Sequence, residues 1–275
     1  MGHQQNALHV KDLNVAVKTP KGMLPLVQNL HLELKPGKIL GLAGESGSGK
    51  TVTCMALLQL LNPKTMSVKG SIQLHGRELT DLNQKKMRSV LGRDIGFIMQ
   101  NPMNAFTPVY TIGNQFVETI RSHTVLTKKQ AVDLAITSME KMNLPEPSKL
   151  MKKYPFQLSG GMLQRVMIAI SMCLRPSVVI ADEPTTALDV TNQLQVLREL
   201  DRLRTECGTS ILLISHDLGV ISELADDVAV MRNGRIIETA DVFQLFDHPK
   251  QEYTKQLLQA RPALLLNDQL KRRVI

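Results

Sequence analysis

The run Ile39-Leu40-Gly41-Leu42-Ala43 passes without a break into Gly44-Glu45-Ser46-Gly47-Ser48-Gly49-Lys50-Thr51, and apolar residues at helical spacing follow from Val52 to Leu61. An uninterrupted apolar run suits a parallel strand buried on both faces, and Asn62-Pro63 supplies a helix stop. The order strand, glycine loop, helix restricts the chain to an α/β fold around a mainly parallel sheet. Lacking a Cβ, Gly44, Gly47 and Gly49 let the loop wrap closely around a di- or triphosphate and turn its backbone N–H groups inward, backed by the positive end of the helix. Lys50 adds a mobile charge for the β- and γ-phosphates, and the Thr51 hydroxyl suits Mg²⁺. The expected nucleotide contacts therefore run from Gly44 through Glu45, Ser46, Gly47, Ser48, Gly49, Lys50 and Thr51 to Val52.

Further strands are predicted at Ile95–Met99, Val178–Ala181, Ser210–Ser215 and Val228–Met231, the last turning through Asn233-Gly234 into Arg235–Glu238 as a hairpin. Short alternating runs between Leu8 and Leu34 and at Ser71–Leu74, punctuated by Pro20, Gly22, Pro25 and Pro36-Gly37, predict antiparallel strands with turns. From about residue 103 to 175 the pattern is helical, with Thr127 and Gln130 forming a capping box. The expectation is one domain over 1–275. An antiparallel β-subdomain and the first part of the core occupy 1–102, an inserted helical subdomain 103–175, and the rest of the core 176–275.

Three other places carry chemistry. Val178-Val179-Ile180-Ala181-Asp182-Glu183 is an apolar strand ending in two carboxylates, delivered to the sheet edge where the phosphates belong. Asp182 is expected to hold Mg²⁺ through water and Glu183 to act as general base on the attacking water. Ser159-Gly160-Gly161 opens a helix, Met162–Leu174, whose N-terminus offers free N–H groups to a second anion. Beside Lys50 of the same copy such a loop would be redundant, so it is expected to face the γ-phosphate held by a partner copy. Gln100 and His216 each end a strand; the first is placed to touch Mg²⁺ and the attacking water, the second to hydrogen-bond the γ-phosphate. Alone, a glutamine or histidine there carries no such meaning.

Composition narrows the class. Cys54, Cys173 and Cys207 are far apart, without a Cys-x-x-Cys spacing, which argues against a disulfide framework or a zinc site and for a reducing compartment. The N-terminus lacks a signal-peptide pattern and no apolar stretch is long enough to span a bilayer. The net charge of +8 is scattered, no nucleic-acid-reading motif is present, and Lys271-Arg272-Arg273 reads as a solvated tail.

Taken together, the chain resembles the nucleotide-binding subunits of ATP-binding cassette (ABC) transporters. Gly44–Thr51 is similar to their Walker A loop, Gln100 to the Q-loop, Leu158–Gln164 to the signature, Val178–Glu183 to Walker B, Ala187-Leu188-Asp189 to the D-loop and His216 to the switch histidine. Within the family, Tyr154-Pro155-Phe156, Ser159–Arg165, Ile98–Pro102 with Ala105-Phe106, and Asp226–Met231 are most similar to the oligopeptide, dipeptide and nickel importers, in particular the NikD-type nickel branch. The resemblance implies ATP and Mg²⁺ as cofactors and a second cassette, either NikE-like or another copy. It also implies two transmembrane permease subunits, an external substrate-binding protein, no nucleic-acid partner, and a peripheral position on the cytoplasmic face of the inner membrane.

Two departures stand out. Family members usually stack adenine on an aromatic residue upstream of Walker A, whereas Val17 lies near that place and Phe97 is the first aromatic; a looser preference for ATP over GTP is expected. The peptide-importing cousins often end in a cysteine-rich extension, and no cysteine follows Cys207, which favours the nickel branch. A dipeptide, oligopeptide or other metal-chelate importer is the alternative, and a cassette ATPase acting on nucleic acid or ribosomes the rival from another class. That rival usually carries a long coiled coil or a second cassette, and neither is present.

Overall fold

In the computed structural model of the chain the described residues are 5–186 and 188–259. Ala187 of the D-loop stretch and the Lys271-Arg272-Arg273 cluster lie outside them. Strands β1 (Leu8–Thr19) and β2 (Gly22–Leu34) form a hairpin, and β3 (Ile39–Ala43) leads through the glycine loop into α1 (Lys50–Leu57). Next come β4 (Met66–Leu74), β5 (Arg77–Glu78), α2 (Gln84–Val90) and β6 (Ile95–Ile98). A helical segment follows, with α3 (Ile112–His123), α4 (Lys128–Lys141), the single turn α5 (Pro147–Leu150) and α6 (Gly160–Leu174). The chain returns to the core through β7 (Val178–Asp182), α7 (Val190–Cys207), β8 (Ser210–Ser215), α8 (Leu218–Leu224), β9 (Asp227–Arg232), β10 (Arg235–Asp241), α9 (Val242–Asp247) and α10 (Glu252–Gln259).

Two sheets result. The antiparallel one has the order β2-β1-β4-β5; the other, β10-β9-β3-β8-β7-β6, is parallel except for the β9–β10 hairpin at its edge. Every residue of β3, β7 and β8 is buried, and alternation along each strand sorts the side chains into two cores. Ile39, Val179, Ala181, Ile211 and Leu213 face the side packed with α3, α4, α6, α7 and α8. Leu40, Leu42, Val178, Ile180, Leu212 and Ile214 face α1 and the antiparallel sheet. The parallel register sets Ala43 opposite Ser215, Asp182 opposite Ile214 and Ile98 opposite Ala181. The carboxyl ends of β3, β8, β7 and β6 therefore share one edge, where an α/β sheet binds its ligand.

Two local expectations are corrected. Pro25 does not interrupt the first strands: β2 runs through it, paired with Ala16. β2 is the edge of its sheet, the place where a residue without an N–H is tolerated. The helix after the loop begins at Lys50 and stops at Leu57, short of Leu61. Its stop is a left-handed Gln59 (φ 53°), with Leu60 N–H donating to Met55 O (2.9 Å) and Gln59 N–H to Ala56 O (3.1 Å). This is a Schellman closure. Glycine normally fills that position; here the Gln59 amide also donates to Leu79 O (2.5 Å), tying the turn to the antiparallel sheet. The Thr127–Gln130 capping box forms as predicted, and no helix among the described residues is long and apolar enough to cross a membrane.

Candidate active site

The phosphate loop takes the shape its glycines permit. Gly44, Gly47 and Gly49 have φ of 154°, 81° and 108°, a region that side chains disfavour. A Cβ on Gly44 would lie 2.3 Å from the carbonyl oxygen of Met231 in β9, so only glycine allows this approach. The β9–β10 turn adds a bond from Gly234 N–H to Ser48 O (2.8 Å).

Lys50, 6% exposed, curls back so that Nζ donates to Gly44 O (2.6 Å) and Glu45 O (2.9 Å). Burial pulls its ammonium below the usual lysine range, against the opposing charges of Glu183, Asp182 and Glu45. Asp182, at the end of β7, is 2% exposed. Burial pushes its carboxyl above the usual range, while a hydrogen bond from the Thr51 hydroxyl acts the other way. Thr51 itself is exposed and Val52 half-buried at the start of α1.

Oδ1 of Asp182 and Oγ of Ser48 are buried without a hydrogen-bond partner. Leaving such an atom unmet costs about 1–3 kcal/mol, a cost that a bound phosphate and its cation would relieve. Thr51 and Asp182 offer oxygen donors only, which suits Mg²⁺ rather than a softer ion. Among the described residues no group of three or more His, Cys, Asp or Glu is placed to hold a metal. A magnesium held by few protein oxygens with phosphates and water is the usual arrangement, so the residues fit the ion.

Glu183 is held with more force than its sequence suggests. Its φ of 51° is left-handed, a strain that persists only where the surroundings enforce it. Its own N–H donates to Ile214 O (2.9 Å), extending the β7–β8 pairing. The carboxylate accepts from His216 N–H (3.0 Å) and the Thr186 hydroxyl (2.9 Å), and its Oε2 lies 2.5 Å from His216 Nδ1. That contact is a hydrogen bond when the imidazole carries its proton on Nδ1. His216 thus meets the carboxylate, a pairing that its position at a strand end does not announce.

Gln100 is exposed just beyond the end of β6, on the same edge. The Ser159 hydroxyl caps α6 by accepting from Met162 N–H (3.3 Å). Ser159 and Gly160 are exposed, while Gly161 is buried with Asn192 packed over it. Asn192 in turn donates twice to Asp189, from its backbone (2.9 Å) and side-chain (2.6 Å) nitrogens. The structure therefore gathers Gly44–Thr51, Asp182, Glu183 and His216 at one sheet edge and leaves Ser159-Gly160 facing outward at the N-terminus of α6. Thr186, Asn192 and Tyr253 carry no sequence signal that points to the site. Tyr253 stands in α10, and its hydroxyl accepts from Glu45 N–H (3.3 Å); only tertiary packing brings a residue 208 positions away to the loop.

A glycine loop at the end of a buried parallel strand, a lysine inside it and a strand-end carboxylate pair beside it define a nucleotide-binding cassette. The family profile described as "ABC transporter" matches residues 27–186, more than half of the chain. The chain belongs to the ABC transporter family, as an ATP-binding cassette. It is 42% identical over 265 residues to the glutathione import ATP-binding protein GsiA of Escherichia coli (strain K12), covering 94% of this chain and 42% of that protein. The GsiA of Salmonella paratyphi A is also 42% identical, with 94% and 43% covered. The chain thus spans less than half the length of the curated relatives it matches. Among solved structures, the cassette MJ0796, dimeric in a post-hydrolysis state with ADP and Pi, superposes with a TM-score of 0.77 at 22% identity, covering 86% of this chain and 98% of that one. The cbiO1 protein of Clostridium perfringens, part of the ABC transporter complex cbiONQ, gives 0.73 at 23%, with 89% and 92% covered. At these identities the likeness speaks for the fold alone.

Proposed function

We propose that this chain is the ATP-hydrolysing subunit of an importer, peripheral on the cytoplasmic face of the inner membrane. It would work with two permease subunits, a second cassette that is NikE-like or another copy, and an external substrate-binding protein. The observation that carries the reading is Glu183, on a strained backbone beside the phosphate loop, its carboxylate held by the His216 N–H, the Thr186 hydroxyl and the His216 imidazole.

In this reading the loop N–H groups from Gly44 to Val52 bind the phosphates, and Lys50 leaves its carbonyl partners to meet the β- and γ-phosphates. The Thr51 hydroxyl and Asp182 carboxylate would hold Mg²⁺, which would supply positive charge at the phosphates. Glu183 accepts the proton of the attacking water as the water adds to the γ-phosphorus and the bond to ADP breaks. His216 and Thr186 orient that carboxylate, and Gln100 lines the water's side of the site. Ser159 and Gly160, exposed at the N-terminus of α6, serve a nucleotide held by the opposing cassette, so two cassettes close over two nucleotides. Closure and reopening would move the helical segment and, through it, the permeases.

A short-peptide or peptide-like cargo is the reading the 42% identity to glutathione import proteins favours. Nickel or a nickel chelate stands second, on the wording of Tyr154–Arg165 and Asp226–Met231. Uptake of radiolabelled glutathione and of radioactive nickel is compared in cells with the gene, without it, and with Glu183→Gln. Glutathione uptake is expected to fall in both altered strains. Loss of nickel uptake alone reverses the order of the cargoes, and unchanged uptake of both removes both.

A further inference from the structure

The phosphate loop is held from behind by the last described part of the chain. Three contacts converge on it: Met231 O against Gly44, Gly234 N–H to Ser48 O, and the Tyr253 hydroxyl on Glu45 N–H. The first two belong to the β9–β10 hairpin and the third to α10. The start of α10 is fixed in turn by Glu238 of β10, whose carboxylate, 8% exposed as a residue, accepts from Lys250 N–H (2.7 Å), Gln251 N–H (3.0 Å) and the Thr254 hydroxyl (2.5 Å). Arg232, the last residue of β9, lays its guanidinium 4.4 Å from the centre of the Tyr253 ring, an attractive cation–π distance. Tyr253 is 6% exposed, so its ring cannot wander and its hydroxyl is aimed at the loop.

We propose that Tyr253 is a positioning residue for the phosphate loop: by accepting the Glu45 N–H it fixes the residue that follows Gly44 and presets the loop for a nucleotide. This rests on the nucleotide-site reading above. Without the hydroxyl, the Glu45 N–H loses its partner in a partly buried place and the loop must be ordered by the incoming phosphates, so that part of the binding energy goes into ordering. The effect belongs to binding and not to the hydrolytic step, since Tyr253 touches neither Glu183 nor His216. Burial also pushes the phenol above the usual tyrosine range, so the hydroxyl keeps its proton at neutral pH.

The test is Tyr253→Phe in the full chain, which keeps the ring under Arg232 and removes only the oxygen. Binding of a fluorescent ATP analogue, the KM and kcat for ATP and the melting temperature are measured beside wild type. The expected result is a Kd and KM raised about three- to tenfold, the range one neutral hydrogen bond spans, with kcat and melting temperature close to wild type. An unchanged Kd and KM overturns the proposal, as does a fall in kcat with KM unmoved. If the phenylalanine variant fails to fold, Arg232→Met, which frees the ring from β9, takes its place in the same titration: raised Kd and KM support the proposal, and unchanged values overturn it. Lys50→Ala runs alongside. If it too binds as wild type, the nucleotide-site reading fails; if it alone loses binding, only the role of Tyr253 fails.

Discussion

At the scale of single residues, the site depends on a few side chains forced into positions they would not choose. Glu183 is left-handed and Lys50 and Asp182 are buried; Glu183 and Lys50 meet specific hydrogen-bond partners, while Asp182 keeps one carboxylate oxygen unpaired. Replacing Glu183 by Gln keeps the size and the bonds accepted by one oxygen but removes the base. Steady-state ATP hydrolysis is expected to fall on the order of 10²–10⁴-fold with the Kd for ATP near wild type, and hydrolysis at the wild-type rate would remove Glu183 from that role. The sequence shows Glu183 as the second of two strand-end carboxylates, and that much was legible. It does not show His216 Nδ1 at 2.5 Å from it, because that pairing is made by two strands meeting across a register.

At the scale of elements, β4 and β5 illustrate how one carboxylate can join two strands. Burial alone would raise the Glu78 carboxyl, but hydrogen bonds from the Ser71 and Thr80 hydroxyls and from Ile72 and Thr80 N–H more than offset it and bring it to about 2, against 4.5 unperturbed. The folded state thus holds the Glu78 proton less tightly than the unfolded one. The stabilisation is present above about pH 4.5 and is lost as pH falls toward 2. Glu78→Gln is therefore expected to lower the melting temperature at pH 7 and to flatten its decline between about pH 5 and pH 3, read by thermal melts across that range. A decline as steep as wild type would discount the network. The second half of β4 and the strands of the parallel sheet were legible from apolar runs and alternation, and the α4 cap from Thr127 and Gln130, because these signals are local; the two-residue β5 carries no such pattern. The end of α1 was not: Gln59 adopts a glycine-like conformation that its bond to Leu79 O supports from another element.

At the scale of the whole molecule, the cassette is one half of a proposed pair. The phosphate loop is complete from this chain, whereas Ser159-Gly160 sits exposed at the end of α6. Glu183→Gln protein given ATP and Mg²⁺ is expected to elute as a dimer and to return to a monomer with ADP, because blocked hydrolysis traps the closed state. A monomer throughout, by light scattering, would assign the opposing half-site to a different cassette. The sequence by itself determined the class of fold and marked the local patterns from which the candidate site is drawn. A glycine loop between a buried strand and a helix, a strand ending in Asp182-Glu183, and Ser159 ahead of a helix are local patterns whose physics needs no distant partner. Only the tertiary structure decided how those pieces are held. Parallel register brings β3, β8, β7 and β6 to a common edge, and the packing of β9, β10 and α10 behind the loop puts Met231, Gly234 and Tyr253 where they touch it. Those contacts join residues from opposite ends of the chain. No local pattern encodes them, because they form only when the two buried faces of the sheet are covered together.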